Sequence, residues 1–271
     1  MSAGIRNDCP LVSIIIPTLN EAAAIPICLA SVREQKYEAI ELIVVDSGST
    51  DGTREEAIKT GANLLDYQGK PLGARYYGLQ HSQGDLILLL DADQVLFPDT
   101  VARAANAMVD VDMLVLQEHS YHPKGYLQRC IARQREALQK EGGLGIPPHC
   151  YPRVYRRALL QSAFAAFPPE VLGSVFTYDD RILYAQALAH SQKVGILARG
   201  VMHIEEDSWL DMMRHAYRQG KCASGIDNLA LGDLARAPES SFTLFQRAVK
   251  NGYLPYALLK ELSFRLGRKF G

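Results

Sequence analysis

Acidic and small polar residues follow three apolar runs in the first hundred residues of the chain. The runs, each with the polar segment after it, are VSIII and PTLNE (residues 12–21), LIVV and DSGSTDGT (42–53), and LILLL and DAD (86–93). Two carboxylates two residues apart on an extended segment project to opposite sides. One of Asp91 and Asp93 could therefore meet a ribose hydroxyl while the other binds Mg²⁺ or Mn²⁺, which prefer hard oxygen ligands.

Each polar segment also has a simpler interpretation. DAD is an acidic loop after a strand in many proteins, and Asn20 or Glu21 could be a plain partner of a helix N-terminus. Asp51 and Thr53 could do no more than cap a helix. Thr53 and Glu56 fit the spacing of a capping box, which predicts a helix that opens at Thr53.

The elements that must position these residues alternate between strands and helices. All-apolar strands in such alternation indicate an α/β fold with a parallel sheet covered on both faces. Ligands of such sheets bind beyond the carboxyl ends of the strands, so the three polar segments should converge there. The predicted strands are residues 12–16, stopped by Pro17, then 42–45, 63–67, 86–90 and 113–117, and the predicted helices are 22–35, a helix from Thr53, 72–82 and 99–109.

The second half is less regular. Residues 142–148 (GGLGIPP) form a breaker cluster that predicts a loop, and we hypothesise that it orders over a ligand. No linker separates two independent domains. The predicted helices are 125–141, 157–165, 179–190 and 208–219, the last one stopped by Gly220, and the predicted strand is 194–197, which leads to His203.

Composition excludes several classes of function. The 271 residues carry 29 basic and 30 acidic side chains, a net charge of −1, which argues against a nucleic-acid partner. The chain has no apolar run of membrane-spanning length and no leader-like N-terminus. Its five scattered cysteines are typical of reduced thiols, so we expect a cytoplasmic protein.

Several motifs in this order resemble family 2 glycosyltransferases. They are VSIIIPTLNE (12–21), DSGSTDGT (46–53), Gly73-Ala74-Arg75 and GDLILLLDAD (84–93), and the resemblance covers about residues 11–120. It implies a GT-A fold, with a Rossmann-like, mostly parallel sheet. It also implies inverting transfer from a nucleotide-diphosphate sugar, usually a UDP sugar, with Mg²⁺ or Mn²⁺.

The resemblance also implies roles for single residues. Thr18 and Glu21 would line the nucleotide site, and Asp46 would bind the base. Arg75 would approach the base or the diphosphate. Asp91 would meet the ribose or the metal, and Asp93 would be the metal ligand.

Inversion needs a general base for the acceptor, which the family places in a Glu-Asp pair at a helix start. This chain offers Asp179 and Asp180, preceded by PRVYRR (152–157), with Asp179 replacing the usual Glu. We expect Asp180 to be the base and Asp179 to be the fallback; the alternative is a first-turn acid favoured by the helix dipole. His203 is either a structural histidine or a second metal ligand.

Two basic clusters lie toward the C-terminus. Arg214, Arg218 and Lys221 share one helix face, where like charges destabilise the helix unless an anion compensates. A donor diphosphate, a phosphorylated acceptor, nearby acids or plain solvation would fit. Residues 236–271 hold seven basic and two acidic residues among leucines and aromatics. That pattern suits a helix on an anionic membrane, a packed terminal helix or a homodimer contact.

We therefore expect a glycosyltransferase domain over residues 1–205, with a nucleotide-sugar half at about 11–120 and an acceptor half at about 121–205. A helical C-terminal extension over 206–271 would follow. The acceptor could be a polyprenyl-linked glycan, a saccharide or a small molecule, and the protein could lie on the inner face of the membrane. The alternatives are an inactive nucleotide-sugar-binding scaffold and a nucleotidyltransferase, which usually has a Gly-rich, basic loop after the first strand. The family's QxxRW motif is absent, which disfavours a processive synthase.

Overall fold

A computed structural model describes residues 9–141, 151–228 and 241–270. The predicted loop at 142–148 lies outside these residues, as do Cys150 and part of the basic C-terminal cluster. In the described chain the strands are β1 Val12–Thr18, β2 Ile40–Asp46, β3 Asn63–Asp66, β4 Leu86–Leu89, β5 Gln94–Leu96, β6 Met113–Ser120, β7 Pro152–Arg156 and β8 Val194–His203. The helices are α1 Ile25–Arg33, α2 Thr53–Lys59, α3 Pro71–Gln80, α4 Thr100–Ala107, α5 Tyr126–Glu141, α6 Arg157–Ala165, α7 Pro169–Ser174, α8 Asp179–His190, α9 Trp209–Asn228, α10 Ser241–Asn251 and α11 Leu254–Phe270.

The strands form one sheet in the order β3-β2-β1-β4-β7-β6-β8-β5. Strands β3, β2, β1 and β4 run parallel, as their apolar sequences predict. Strand β7 then enters antiparallel between β4 and β6, and β5 pairs antiparallel with β8. The α/β fold with a mostly parallel sheet is confirmed. Every antiparallel pair in the described chain involves β7 or β5.

Both faces of the parallel half are buried. Alternate residues of β1, such as Ile14 and Ile15, face opposite sides of the sheet and are fully buried. Ile14 packs with α1 and α4, and Ile15 packs with α3, α6 and α8. The register pairs Thr18 with Asp46, so the ends of β1 and β2 lie side by side at the edge where the predicted site should be.

Pro17 does not stop the first strand, contrary to the sequence prediction. Strand β1 continues to Thr18 beside β2. Strand β4 pairs with β1 only as far as Ile15. One side of β1 is therefore open at Pro17, where a residue without an N–H breaks no ladder hydrogen bond.

Helix α2 begins at Thr53 as predicted, but not through a capping box. Gly52, with φ +99°, is its N-cap, and the Asp51 carboxylate accepts the Thr53 N–H at 3.1 Å. The Thr53 hydroxyl accepts the backbone N–H of Glu21 at 2.8 Å and donates to Asp51 at 2.6 Å. These contacts fix the helix start.

Gly220 does not end α9, which runs through it to Asn228. A Cβ on Gly220 would lie 1.9 Å from the carbonyl oxygen of Phe264 on α11. The glycine therefore serves a close helix crossing. The C-terminal helices share an apolar cluster with α5, centred on Leu127, Met212 and Tyr256. Within the described chain, no helix has the length and apolar character needed to cross a bilayer.

Candidate functional site

The turn after β2 is organised by the buried carboxylate of Asp46. Its oxygens accept the backbone N–H groups of Gly48 (3.1 Å) and Ser49 (3.0 Å) and the guanidinium of Arg54 (2.9 Å). Burial alone would raise the pKa of Asp46, but the hydrogen bonds from Ser49 and Arg54 outweigh it and hold the pKa below its usual range. Gly48 has φ +94°, which a side chain would oppose. The structure thus presents an ionised Asp46 at the strand end.

Hydrogen bonds join this turn to the loop after β1. Asn20 donates its N–H to the Ser49 hydroxyl (2.8 Å) and accepts the Thr50 N–H on its side-chain oxygen (2.9 Å). Asp51 accepts the Ala22 N–H at 3.0 Å. Asn20 and Asp51 therefore hold the two loops together, and Asp51 also accepts the first N–H of α2, the capping role considered for it.

Glu21 lies in the same loop and faces the acidic end of β4. Burial raises the pKa of Glu21 to about 7, and the negative charges of Asp93 and Asp51 add to the effect. The charge of His215, on α9, opposes this rise. Glu21, predicted to line the nucleotide site, is thus close to the predicted metal ligand and to a C-terminal helix.

Two buried arginines hold Asp91. Arg75 Nη2 donates to Asp91 Oδ1 at 2.6 Å, and Arg153 Nη1 lies 2.9 Å from Asp91 Oδ2. Burial would raise the pKa of Asp91, but Arg153 and Arg75 hold it well below its usual range. Arg75 also donates through Nε to Asp179 Oδ2 at 2.7 Å. The end of β4 and the start of α8 are therefore joined through one guanidinium.

The side-chain groups buried without a hydrogen-bond partner in the described part of the chain include Thr18 Oγ1, Arg75 Nη1 and the Tyr155 hydroxyl. Buried polar atoms in proteins almost always have partners. Thr18 and Arg75 were predicted to contact the nucleotide sugar.

Asp93 meets His203, whose Nε2 lies 3.3 Å from Asp93 Oδ2. The pairing of Gln94 with His203 across β5 and β8 brings them together. Burial raises the pKa of Asp93, and the charges of Asp91 and Glu118 add to it against His203. Burial would lower the pKa of His203, but Asp93, Glu205 and Glu118 raise it.

Asp93 and His203 are suited to hold a cation whose remaining ligands come from the substrate. Within the described residues, no three His, Cys, Asp or Glu side chains form a metal cluster. Mg²⁺ and Mn²⁺ are commonly held by one or two protein ligands together with substrate phosphates. A carboxylate and an imidazole that already face each other suit that role, because both would bind the cation when deprotonated.

Asp180 lies in the first turn of α8. The N-cap of this helix is Tyr178, whose φ is +60°. Its Oδ1 accepts the Arg181 N–H at 2.8 Å, and its Oδ2 lies 3.9 Å from Arg153 Nη2. Burial and the neighbouring charge of Asp179 raise the pKa of Asp180 to about 6. The structure therefore brings the predicted base within reach of the network that holds Asp91.

The sequence analysis did not identify Arg153 as a site residue. It also did not identify Glu118, Arg135 and Glu205, which form the ion pairs next to it. Arg153 bridges Asp91, Asp180 and Glu118, whose Oε1 lies 3.2 Å from Arg153 Nη2. Arg135 joins Glu118 to Glu205. The arginine-rich PRVYRR segment was the sequence signal for Arg153. Its pairing as strand β7 antiparallel to β4 could not be predicted from the sequence.

Arg214 and Arg218 lie apart from this network, in a pocket of about 680 Å³ between α9 and α11. Arg214 pairs with Asp211 on its own helix at 3.1 Å. The neighbouring His215 pairs with Glu206 at 2.9 Å. Nearby acids thus compensate part of the basic helix face. The residues that line the pocket are Glu206, Asp211, Met213, Arg214, Tyr217, Arg218, Ser263 and Leu266.

Residues 13–162, more than half of the chain, match the family model "Glycosyl transferase family 2". The chain is 28% identical over 170 residues to an undecaprenyl-phosphate 4-deoxy-4-formamido-L-arabinose transferase of Aeromonas hydrophila, a match that covers 58% of this chain and 52% of that protein. It is 40% identical over 104 residues to a PGL/p-HBAD biosynthesis glycosyltransferase of Mycobacterium tuberculosis, covering 35% of this chain and 41% of that one. The chain spans about half the length of these curated relatives.

Solved structures share the fold. Residues 1–349 of S. aureus TarS in complex with UDP-GlcNAc superpose with a TM-score of 0.60 at 22% identity, covering 94% of this chain and 73% of that one. The mannosyltransferase PcManGT from Pyrobaculum calidifontis in complex with GDP-Man and Mn²⁺ gives 0.58 at 20% identity, with 95% and 75% covered. These matches confirm the GT-A fold that the sequence motifs implied. The roles of single residues stay predictions.

Proposed function

Because the chain belongs to glycosyltransferase family 2, we propose that it transfers a sugar from a nucleotide-diphosphate donor to an acceptor hydroxyl or phosphate, with inversion and with a divalent cation. A UDP sugar is the first donor to test. The domain over residues 1–205 would carry this activity. The observation that carries the proposal is the junction of Asp91 with the start of α8, through Arg75 to Asp179 and through Arg153 to Asp180.

The donor would lie across the ends of β1, β2 and β4. Asp46 is ionised at the end of β2 and can accept a base N–H, because a carboxylate accepts several hydrogen bonds. Thr18 Oγ1 and Arg75 Nη1 are buried polar groups without partners in the described chain. Nucleotide oxygens would satisfy both, and this supports a ligand at the predicted edge.

Asp93 and His203 would hold the cation, with diphosphate oxygens as further ligands. When bound, the cation would stabilise the negative charge that grows on the leaving diphosphate. Asp91 is a weaker candidate for a metal ligand, because both of its oxygens are held by arginines. The Asp91 carboxylate can still accept a hydrogen bond from a ribose hydroxyl.

Asp180 would take the proton of an acceptor hydroxyl. The acceptor oxygen then bonds to the anomeric carbon from the face opposite the diphosphate. The bond between that carbon and the diphosphate oxygen breaks, and the nucleoside diphosphate leaves. A base works best when its pKa lies near the working pH, and the pKa of about 6 at Asp180 meets that condition.

The names of the similar proteins guide the choice of substrates. One relative acts with undecaprenyl phosphate, and two solved neighbours hold UDP-GlcNAc or GDP-Man. We propose UDP and GDP sugars as donors, and lipid-linked phosphates and saccharides as the acceptors to screen first.

A donor panel tests the proposal. UDP, GDP and dTDP sugars would be incubated with the protein and Mn²⁺, and release of the nucleoside diphosphate and product anomeric configuration would be measured. We expect turnover with one donor, inverted product, and loss of turnover in Asp180→Asn but not in the exposed control Asp110→Asn. Tight donor binding with no turnover in any condition would favour the scaffold alternative. Release of pyrophosphate from a nucleoside triphosphate and a sugar phosphate would favour a nucleotidyltransferase.

A further inference from the structure

Helix α11 points four of its five leucines toward solvent. Its buried residues include Tyr256, Ser263 and Gly267. Leu258, Leu262 and Leu266 are 53%, 55% and 42% exposed. The C-terminal part of the packed side therefore carries the small residues Ser263 and Gly267, while large apolar residues face outward, unlike the pattern of an ordinary surface helix.

This orientation is fixed by a close crossing with α9. A Cβ on Gly267 would lie 2.0 Å from the carbonyl oxygen of Tyr217, and one on Gly220 would lie 1.9 Å from that of Phe264. The backbones touch at the two glycines, so α11 cannot rotate its leucines inward without losing the contact. The exposure is therefore built into the fold.

The outward residues form one stripe, called here the leucine face. Leu258, Leu262, Leu266 and Phe270 follow each other at intervals of four residues, and Leu259 lies beside them. The stripe is about 18 Å long at 1.5 Å per residue. Contiguous exposed apolar surface of this kind is uncommon on soluble proteins and marks contact with a partner or a membrane.

Positive charge accompanies the leucine face. Helix α11 exposes Arg265, Arg268 and Lys269 against the single acid Glu261, whereas Lys260 donates to the hydroxyl of buried Tyr256. Glu261 is already engaged, because Arg265 Nε donates to it at 2.7 Å.

The pocket beside the stripe is lined by Leu266 and holds two basic and two acidic side chains, so it adds no net charge. A stripe of leucines with a basic end is complementary to lipid tails below anionic headgroups.

We propose that α11 docks on an anionic phospholipid surface, with the leucine face in the boundary between headgroups and acyl chains. The basic residues at its C-terminal end then lie at the level of lipid phosphates. The use of this docking for a lipid-borne acceptor rests on the proposed function, but the docking itself does not.

Vesicle flotation tests the docking without any donor or acceptor. The protein would be mixed with phosphatidylcholine vesicles, or with vesicles that also contain phosphatidylglycerol, and the bound fraction would be measured at low and high salt. We expect binding that needs phosphatidylglycerol and weakens with salt. The double variant Leu258→Gln/Leu262→Gln should bind about tenfold more weakly or worse, since binding scales with buried apolar area. Arg265→Gln/Lys269→Gln should lose the preference for anionic vesicles.

The matched control is Ile58→Gln/Val109→Gln, which changes side chains that are 62% and 74% exposed elsewhere on the surface. It should bind as the unchanged protein does. All variants are checked for the native thermal transition. Asp180→Asn should also bind fully, so failure of the catalytic proposal would leave this result intact. The proposal would be overturned if the protein did not bind anionic vesicles, or if Leu258→Gln/Leu262→Gln bound them as well as the unchanged protein. It would also be overturned if the protein were a dimer that this variant dissociates.

Discussion

Replacing Asp180 by asparagine should abolish catalysis and make the fold more stable. Asp180 ionises near pH 4 in the unfolded chain, but burial and Asp179 raise its pKa to about 6 in the folded protein. Between these values the folded state keeps a proton that the unfolded state has lost. Stability therefore falls as pH rises through this window, and the full cost persists above about pH 6.

The size of this cost follows from the pKa difference. One pKa unit corresponds to about 1.4 kcal/mol, so the difference sets an upper limit of about 3 kcal/mol. The Asp180 side chain is 29% exposed, and water screens part of the cost. We expect Asp180→Asn to raise the free energy of unfolding by about 1–3 kcal/mol at pH 8 and to leave it unchanged near pH 4.

Urea unfolding at the two pH values, together with donor turnover, measures both effects. Turnover should fall by about 10²–10⁴-fold, the usual contribution of a general base. The neighbouring Asp179→Asn is the contrasting control. It removes the negative charge 2.7 Å from the buried Arg75 guanidinium. Arg75 keeps Asp91 as a partner, so the protein should lose stability by less than the about 3–5 kcal/mol of a fully broken buried pair. An Asp180→Asn protein that is less stable at pH 8, or equally shifted at both pH values, would refute the reasoning.

Three further predictions follow from single contacts. Arg153 lowers the pKa of Asp180, so Arg153→Gln should move the acid limb of the pH–rate profile upward by about 1 unit or more, and Arg153→Lys should move it less; an unmoved limb would contradict the contact. Thr18→Val should weaken nucleotide binding about tenfold in calorimetry with no loss of melting temperature, because its buried hydroxyl lacks a partner in the described chain; unchanged affinity would remove Thr18 from the site. Gly267→Ala should destabilise the protein by about 1–3 kcal/mol in thermal unfolding, because the new methyl would lie 2.0 Å from a carbonyl oxygen of α9. Gly173→Ala, where a Cβ meets nothing within 4 Å, should be harmless, and equal effects would contradict the crossing.

The parallel half of the fold could be predicted because its signals are local. Strands such as LILLL are apolar throughout, and a strand buried on both faces needs nothing else. Helix α6 over Arg157–Ala165 and helix α8 over Asp179–His190 match the predicted ranges. The strand-end acids converge because parallel strands end at one edge.

The failures share a different cause, which is contact between distant segments. Pro17 stays in β1 because β4 stops pairing earlier. Gly220 stays in α9 because α11 crosses there. Arg153 reaches Asp91 because β7 enters antiparallel beside β4. None of these events has a signature within the segment itself, so local pattern gave the wrong strand end, the wrong helix stop and an incomplete site.

The proposed function requires that the acids at the strand ends bind a nucleoside diphosphate through a cation. A crystal structure with UDP and Mn²⁺, with anomalous data collected to locate manganese, tests it most directly. We expect one manganese peak about 2.0–2.2 Å from the Asp93 carboxylate and from diphosphate oxygens, with His203 Nε2 turned to it and the base beside Asp46. A nucleotide bound elsewhere, or bound at these strand ends with manganese away from Asp93, would contradict the proposal.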